Sequence, residues 1–176
     1  MTAPTDPVAD QQLGGFLEAL ASEQPAPGGG AAAAVTAALA ASLTAMVVRL
    51  SLDRPKYADF AELHREALDG SDATRLRFLQ LADEDAAAYA AYRAARSLPR
   101  ETEVEQEARE AATRDAARIA TKVPLEVVRT CQAQVELVDR CAGRTNLYVA
   151  ADLEVAALLL DSAARAAAAN VRVNLP

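Results

Sequence analysis

The chain is poor in the side chains that build disulfide frameworks and metal centres. Its 176 residues include two cysteines, one histidine and no tryptophan, and aromatic residues make up 4%. Neither a disulfide framework nor a zinc site is supported by so few ligands, and we predict no metal site. Cys131 and Cys141 would lie about 15 Å apart on one helix, too far to pair. We expect two buried thiols.

Excess positive charge is also absent. Eighteen Lys and Arg residues stand against 25 Asp and Glu residues, which gives a net charge of −7. Such a chain repels a phosphate backbone, so nucleic acid is not an expected partner. Residues 1–10 show no basic cluster followed by an apolar run, and we therefore expect no secretory signal and a cytoplasmic protein.

The apolar fraction of 52% comes mainly from Ala and Leu with some Val, a composition that favours helices. Apolar spacing predicts helices over residues 8–22, 31–50, 59–96 and 102–142 and a fifth after Asn146. No strand pattern is present. We predict an all-α, antiparallel bundle of about five helices, forming one domain over residues 1–176. Its flat alanine-lined faces suggest a symmetric homodimer.

The uncharged run over residues 31–48 is long enough to raise the question of a membrane span. Because it is mostly Ala with Thr and Ser, we interpret it as a core helix and expect no membrane partner. Two stripes of apolar side chains are predicted. The first lies on this helix and is expected to face the core, and the second lies along one side of the fourth helix. The stripes comprise Val35, Leu39, Leu43, Met46 and Leu50, and Val104, Ala108, Ala111 and Ile119, respectively.

Helix ends and breaks are indicated by local signals. Asp59 with Glu62 has the form of an N-terminal cap, and Thr102 with Glu105 matches a capping box. Gly70 is the weakest point of the third helix, and Pro124 is expected to kink the fourth. Gly143 then provides a stop, after which Asn146 can cap the fifth helix.

Residues 25–30 read Pro-Ala-Pro-Gly-Gly-Gly and precede the apolar helix. Glycines leave the backbone open to close approach, and the first amides of a helix have no partners within it. This loop could hold an anion or an electron-rich ring at the positive end of the helix. A plain turn explains the same residues equally well.

Asp85 falls on the inward stripe of the third helix, together with Phe78, Leu81 and Tyr89. An inward carboxylate loses solvation unless it meets a partner or a ligand, and it is a candidate acid or base. The alternative is a structural ion pair with Arg96 or Arg109. The neighbouring Asp83 and Glu84 point elsewhere, and we expect them to be solvated.

Other polar side chains have less specific patterns. On the fifth helix, Asp152 and Asn170 border the apolar stripe, and Asn174 follows one turn later; such amides suit recognition of a heterocycle or capping of a helix. Arg49, Arg54 and Lys56 follow the buried part of the apolar helix and could form a cationic rim for an acidic ligand, or simply be solvated. His64 lacks catalytic neighbours and is interpreted as a surface or boundary residue.

Taken in order, these motifs resemble the cyclodeaminase/cyclohydrolase family over nearly the whole chain. The most specific pair is the glycine loop with the Asn-Val-Arg-Val-Asn-Leu segment at residues 170–175. The remaining matches are Met46-Val47, Tyr57, Asp83 and Asp85 before Tyr89, Leu98-Pro99, Arg109, Val123-Pro124-Leu125, Asn146 and Asp152-Leu153.

The resemblance implies an all-helical dimeric enzyme acting on one-carbon derivatives of tetrahydrofolate, with no tightly bound cofactor. It would either close formiminotetrahydrofolate with release of ammonia or hydrate methenyltetrahydrofolate. On this basis Asp85 and Asp152 are candidates for proton transfer, and Arg54 with Lys56 for contact with the glutamate tail. The expected pterin and substrate contacts are Pro27, Gly28, Gly29, Gly30, Tyr89, Asn146, Asn170 and Asn174.

The chain departs from the family pattern at two places. Ala31 stands where relatives commonly have Ser, and Asp53-Arg54-Pro55 replaces a Gly-Lys-rich segment before the tyrosine. These differences leave two rival hypotheses: a diverged enzyme with a non-folate substrate, or a non-catalytic bundle that binds a metabolite or a protein. The chain shows no attached transferase unit, which favours the hydrolase reaction.

Overall fold

The computed structural model describes residues 6–174, which form five α-helices and no strand. The helices are α1 (Leu13–Leu20), α2 (Gly29–Arg49), α3 (Ala61–Arg96), α4 (Glu103–Cys141) and α5 (Ala150–Asn174), with short 3₁₀ segments at Val8–Asp10, Pro55–Phe60 and Leu147–Val149. The predicted all-α class is confirmed. Leu175, the last residue of the asparagine motif, lies outside the described residues.

Helices α2 to α5 form a four-helix arrangement with antiparallel neighbours. α2 packs against α3 and α5, α4 packs against the same two helices, and α2 and α4 lie diagonally opposite. Gly29 at the start of α2 lies beside Asn170 near the end of α5, whereas Ser51 after α2 bonds Asn146 before α5. The bundle therefore has a glycine-loop end and an opposite end at the C terminus of α2.

Helix α2 is packed mainly through its alanines, and the predicted inward stripe is correct only in part. Ala34, Ala37 and Ala41 are fully buried, while Leu39 is 54% exposed. Val35, Leu43 and Met46 are half-buried, and Leu50 is exposed. Small side chains let α3 and α5 approach closely. Val35, Leu43 and Met46 therefore pack only partly against the core, and Leu39 and Leu50 are exposed.

Helix α2 is also the one helix in the described part of the chain that is long and apolar enough to cross a membrane. Of its most apolar window, 61% is buried within the protein. Contacts with α3 and α5 on two sides account for this burial. The interpretation as a core helix is in accord with this packing.

The start of α3 differs from the prediction. Phe60 precedes the helix and no side chain caps it, so the predicted Asp59 cap is wrong. Gly70 does not break the helix, which runs for 36 residues. A Cβ at Gly70 would lie 3.3 Å from Leu137 Cδ2, so the missing side chain allows α4 to approach closely.

Helix α4 begins with the predicted capping box, in which Thr102 and Glu105 bond each other's backbone amides. It continues through the buried Pro124, and Gly143, with φ of +71°, follows its C-terminal end as expected. The predicted Val104 stripe does not face the core: Val104 is 76% and Ile119 53% exposed. The buried face comprises Ala116, Val123, Pro124, Val127, Cys131, Gln134, Val138 and Cys141.

A polar joint fastens the opposite end of the bundle. Ser51 Oγ accepts a hydrogen bond from the Asn146 amide at 2.8 Å, and the Tyr57 hydroxyl accepts one from the Leu147 amide at 3.2 Å. Asn146 Oδ1 accepts from the Tyr148 amide, so Asn146 caps the 3₁₀ segment ahead of α5 rather than α5 itself. This joint holds the loops after α2 and after α4 together.

His64 and the cysteines lie in the interior. His64 is fully buried, with Nε2 2.8 Å from the Arg144 carbonyl oxygen, so the prediction of a surface or boundary residue is wrong. Both cysteines are free and buried, as expected. Burial raises the pKa of the Cys131 thiol to about 12, which keeps it protonated at neutral pH.

Candidate active site

The glycine loop and Asp85 meet at the N terminus of α2. Asp85 Oδ2 accepts a hydrogen bond from the Ala31 amide at 3.1 Å. A Cβ on Gly30 would overlap the carboxylate, lying 2.6 Å from Oδ2. Glycine at this position is what allows α3 to place a carboxylate directly on the first turn of α2.

The environment of Asp85 opposes its ionisation. Burial raises the pKa of the carboxyl, and the hydrogen bond from the Ala31 amide offsets part of that rise. A carboxyl with an elevated pKa holds a proton more readily than a solvated one, which suits a group that must accept a proton and later return it. The inward orientation predicted for Asp85 is thus confirmed.

Backbone donors remain available beside this carboxylate. The Ala32 amide bonds the Gly28 carbonyl oxygen, and the Ala31 amide bonds Asp85. Within residues 6–174, the amides of Gly29 and Gly30 have no acceptor. Two free donors at the positive end of α2 can bind an electron-rich ligand atom.

Asn170 completes this group from α5. A Cβ on Gly29 would lie 3.7 Å from Asn170 Nδ2, so the side-chain amide of Asn170 lies next to the glycine loop. Its Nδ2 donates to the Ala166 carbonyl oxygen at 3.1 Å, and its Oδ1 would lie 3.9 Å from the same Cβ position. Three elements, α2, α3 and α5, therefore supply polar groups to one place.

Asp85 forms no ion pair with any residue in the 6–174 range, so neither arginine of the structural alternative reaches it. Arg96 donates to the Tyr92 hydroxyl at 3.3 Å, and Arg109 donates to the Arg96 carbonyl oxygen at 3.1 Å. Asp83, expected to be solvated, is half-buried and accepts from the Val8 amide at 3.0 Å. Glu84 is exposed, as expected, and pairs with Arg77.

A cavity of about 350 Å³ adjoins the site along α3. One wall is the start of the loop, and the other is the helix face that continues from Asp85. Tyr89 lies one turn beyond Asp85 and is 43% exposed. The lining comprises Gln24, Pro25, Ala26, Ala86, Tyr89, Ala90, Arg93, Ala94 and Ser97. Of the predicted substrate contacts, Tyr89 borders this space, and the half-buried Pro27 and Gly28 lie between it and Gly29.

Four of the predicted site residues lie at the opposite end of the bundle. α2 has 21 residues, which places its two ends about 30 Å apart. Arg54 and Lys56 follow its C-terminal end, and Asn146 and Asp152 lie beside that end through the polar joint. The structure does not bring these residues to Asp85 within one chain.

Asn146 and Asn174 have side-chain amides engaged in the fold. Asn146 Nδ2 donates to the Leu50 carbonyl oxygen at 3.3 Å. Asn174 Nδ2 donates to the Ala120 carbonyl oxygen at 2.8 Å, which fastens the end of α5 to α4. Asp152, in the first turn of α5, is half-buried and can favour that helix end electrostatically.

Sequence reasoning missed Arg93, the charged residue that lines the cavity. A signal was present, because steps of four residues lead from Asp85 through Tyr89 to Arg93. No three His, Cys, Asp or Glu side chains of the described segment cluster in a way that could hold a metal ion. The polar groups brought together here are the Asp85 carboxylate, the Gly29 and Gly30 amides and the Asn170 side chain, with the Arg93 guanidinium farther along α3.

Comparison with known proteins gives consistent matches across the chain. A sequence model of the family described as formiminotransferase-cyclodeaminase matches residues 12–176. Methenyltetrahydrofolate cyclohydrolase of Methylorubrum extorquens is 37% identical over 159 residues, which cover 90% of this chain and 76% of that protein. Formimidoyltransferase-cyclodeaminase of Mus musculus is 32% identical over 174 residues, covering 99% of this chain and 32% of the mouse protein.

The fold matches as well. The crystal structure of formiminotetrahydrofolate cyclodeaminase from Thermotoga maritima superposes with a TM-score of 0.86 at 25% sequence identity, covering 95% of this chain and 79% of that chain. The resemblance suggested by the glycine loop, Asp85 and the late asparagines is thereby confirmed. The chain belongs to the formiminotransferase-cyclodeaminase family.

Proposed function

We propose that the protein is a folate one-carbon enzyme that hydrates methenyltetrahydrofolate to formyltetrahydrofolate. The relative named methenyltetrahydrofolate cyclohydrolase, which matches 90% of this chain at 37% identity, supports this choice. The observation that carries the proposal is the half-buried Asp85 carboxylate on the first turn of α2, beside two free amides and Asn170. A non-catalytic bundle has no need for polar groups that converge in this way.

The reaction adds water to a carbon held between two nitrogens, N5 and N10. As the water oxygen bonds this carbon, the ionised Asp85 takes one of its protons. The same proton then passes to N5 as the C–N5 bond breaks, and the remaining hydroxyl proton is lost to solvent as the carbonyl forms. Asp85 can serve both steps because burial raises its pKa above the ordinary carboxyl range.

The surrounding groups position the substrate. The methenyl group carries a delocalised positive charge, which an ionised carboxylate attracts. The Gly29 and Gly30 amides and the Asn170 side chain are suited to ring nitrogen and oxygen atoms of a pterin. Since these donors belong to helix ends held in the bundle, they need no reorganisation when charge moves in the transition state.

The direct test mixes purified protein with methenyltetrahydrofolate and follows the loss of its absorbance against the uncatalysed rate. Catalysed hydration that saturates with substrate is expected. Asp85→Asn should abolish most of the acceleration while the helical circular dichroism signal persists. No acceleration by the wild-type protein would overturn the proposal.

Ring closure of formiminotetrahydrofolate with loss of ammonia is the second candidate, supported by the match to the Thermotoga maritima cyclodeaminase. There N10 would add to the carbon of the protonated formimino group, and Asp85 would take the N10 proton and return it to the amine nitrogen. The bond between the carbon and that nitrogen would then break, releasing ammonia. Measuring ammonia release from formiminotetrahydrofolate separates the two reactions. Release without hydration of the methenyl substrate would favour this second function.

A homodimer is part of the proposal. The solvent-facing side of α2 presents the exposed Leu39 between the half-buried Val35 and Leu43, and no charged residue occurs from Ala31 to Val48. A second copy suits this surface because an isologous contact places the same uncharged stripe against itself. Analytical ultracentrifugation at micromolar concentration should show a dimer, and a monomer would contradict it.

A further inference from the structure

The far-end cations cannot serve a ligand held at Asp85 in the same chain. Arg54 and Lys56 follow the C-terminal end of α2, and the length of that helix separates them from Gly30 by about 30 Å. A folate nevertheless ends in a glutamate that carries carboxylates. If the pterin lies at the glycine loop, a different cation must meet this end of the molecule.

Arg93 is the charged side chain at the right place. It lines the cavity of about 350 Å³ next to Asp85, and the other described residues of that lining are uncharged. Within residues 6–174 no carboxylate pairs with Arg93, whereas Arg49, Arg77 and Arg140 each pair with one. A guanidinium that faces a cavity without an acidic neighbour is available to a ligand.

The spacing along α3 suits the shape of a folate. Asp85, Tyr89 and Arg93 follow one another at four-residue steps on one helix face, so Arg93 lies about 12 Å along the axis from Asp85. In a folate the p-aminobenzoyl ring separates the reacting carbon from the glutamate over a comparable length. Tyr89 stands midway and offers an exposed aromatic ring at the position of that group.

We propose that Arg93 binds the glutamate carboxylates of the substrate and determines its specificity for folates that carry this tail, with Tyr89 packing on the p-aminobenzoyl ring. The assignment rests on the proposed folate function and names the tail-binding part of that site. A guanidinium fits a carboxylate through two parallel hydrogen bonds, which gives direction as well as attraction. Arg93 is a substrate-binding residue, remote from the reacting atoms, and therefore acts on affinity.

The test compares methenyltetrahydrofolate with methenyltetrahydropteroate, which lacks the glutamate. Arg93→Ala should raise KM for the folate about tenfold, as expected for loss of one charge-assisted contact. Its kcat should change less than twofold, and its KM for the pteroate should equal that of wild type. Arg93→Lys should recover part of the affinity. The matched control is Arg96→Ala, since Arg96 lies on the same helix but over the Tyr92 ring.

Three results would overturn the assignment. Arg93→Ala could leave KM for the folate unchanged, or raise KM equally for both substrates, which would indicate a packing role. The third result is a rise in KM for the folate, but not for the pteroate, in the double variant Arg54→Ala, Lys56→Ala and not in Arg93→Ala. That outcome would place the cationic contact at the far-end residues of a second copy.

The assignment can be tested even if the proposed function fails. Should the wild-type protein not turn over methenyltetrahydrofolate, the enzymatic proposal falls first. Calorimetric titration with p-aminobenzoylglutamate then decides the role of Arg93 alone. Binding by wild type that is lost in Arg93→Ala supports the anion contact, and equal affinities, or no binding by wild type, overturn it.

Discussion

The carboxylate of Asp85 lies against Gly30, where there is room for a hydrogen atom but not for a methyl group. A Cβ at Gly30 would come within 2.6 Å of Oδ2, while one at Gly29 would lie at an ordinary 3.7 Å from Asn170 Nδ2. The two adjacent glycines are therefore inequivalent. Gly30 is required by contact between two helices, and Gly29 leaves an amide open beside Asn170.

Gly30→Ala is expected to displace Asp85 and to lower the free energy of unfolding by about 1–3 kcal/mol, the usual effect of overpacking. Activity should fall with it, because the carboxylate leaves its hydrogen bond to the Ala31 amide. Gly29→Ala is the matched control and should change stability by less than about 1 kcal/mol. Urea unfolding of both variants checks this, and equal stabilities would contradict the contact.

Asp85→Asn should reduce kcat by about 10²- to 10⁴-fold, the range for loss of a general acid–base group. In the wild-type enzyme, kcat/KM for hydration should rise with pH through an apparent pKa above the ordinary carboxyl range, because burial raises the pKa of Asp85 and the base must be ionised. Stopped-flow rates across pH check the profile. An inflection at an ordinary carboxyl pKa, or none, would contradict it.

The same carboxyl makes stability depend on pH with a definite sign. Since its pKa is raised in the folded state, the native protein binds more protons there than the unfolded chain, and stability falls as pH rises between the two values. Asp85→Asn removes this dependence. The Tm of Asp85→Asn minus the Tm of wild type should therefore increase as pH rises through that range and stay constant at higher pH. Calorimetry measures this difference, and a decrease with rising pH would contradict the raised pKa of Asp85.

Leu39→Glu should convert the proposed dimer into monomers, because it puts a charge into the middle of the uncharged, solvent-facing side of α2. Leu39 is 54% exposed in the single chain, so the substitution should leave the fold intact. Val104→Glu on the diagonal helix α4, where Val104 is 76% exposed, is the control and should remain dimeric. Sedimentation velocity distinguishes these outcomes.

Ser51→Ala should destabilise the fold by about 1–3 kcal/mol, since the buried Asn146 amide then loses its acceptor. Its kcat should match that of wild type, because the polar joint lies at the far end of α2 from Asp85. Thermal unfolding and steady-state kinetics on the same preparation check both parts. A large loss of kcat in a folded variant would place chemistry at this joint.

Much of the architecture was accessible from local signals. Capping by Thr102, the stop at Gly143 and the inward turn of Asp85 depend on residues within one or two helical turns, so periodicity and cap chemistry suffice. The predicted stripe on α2 was correct only in part, because Leu39 and Leu50 are exposed while the alanines form most of the buried face. Apolar periodicity identifies a face but does not state whether alanines or leucines meet the neighbouring helix.

The site was less predictable because its composition depends on which ends of the helices meet. Asn146 and Asn170 have the same side chain and lie on or beside the same helix, yet Asn146 caps the 3₁₀ segment ahead of α5 and Asn170 lies next to Gly29. His64 can be buried because its ring has a hydrogen-bond partner in the carbonyl group of Arg144, 80 positions away in the sequence. Contacts of this range are set by tertiary packing, which no local window contains.

The alanine face of α2 has a consequence for how the site behaves when it fills. A methyl side chain has no alternative rotamer, so the alanines of α2 offer its neighbours few ways to repack. The Gly29 and Gly30 amides, in the first turn of that helix, are consequently held in fixed positions. We therefore expect a ligand at these amides to meet a preformed arrangement of the backbone and to bind with little movement of α2.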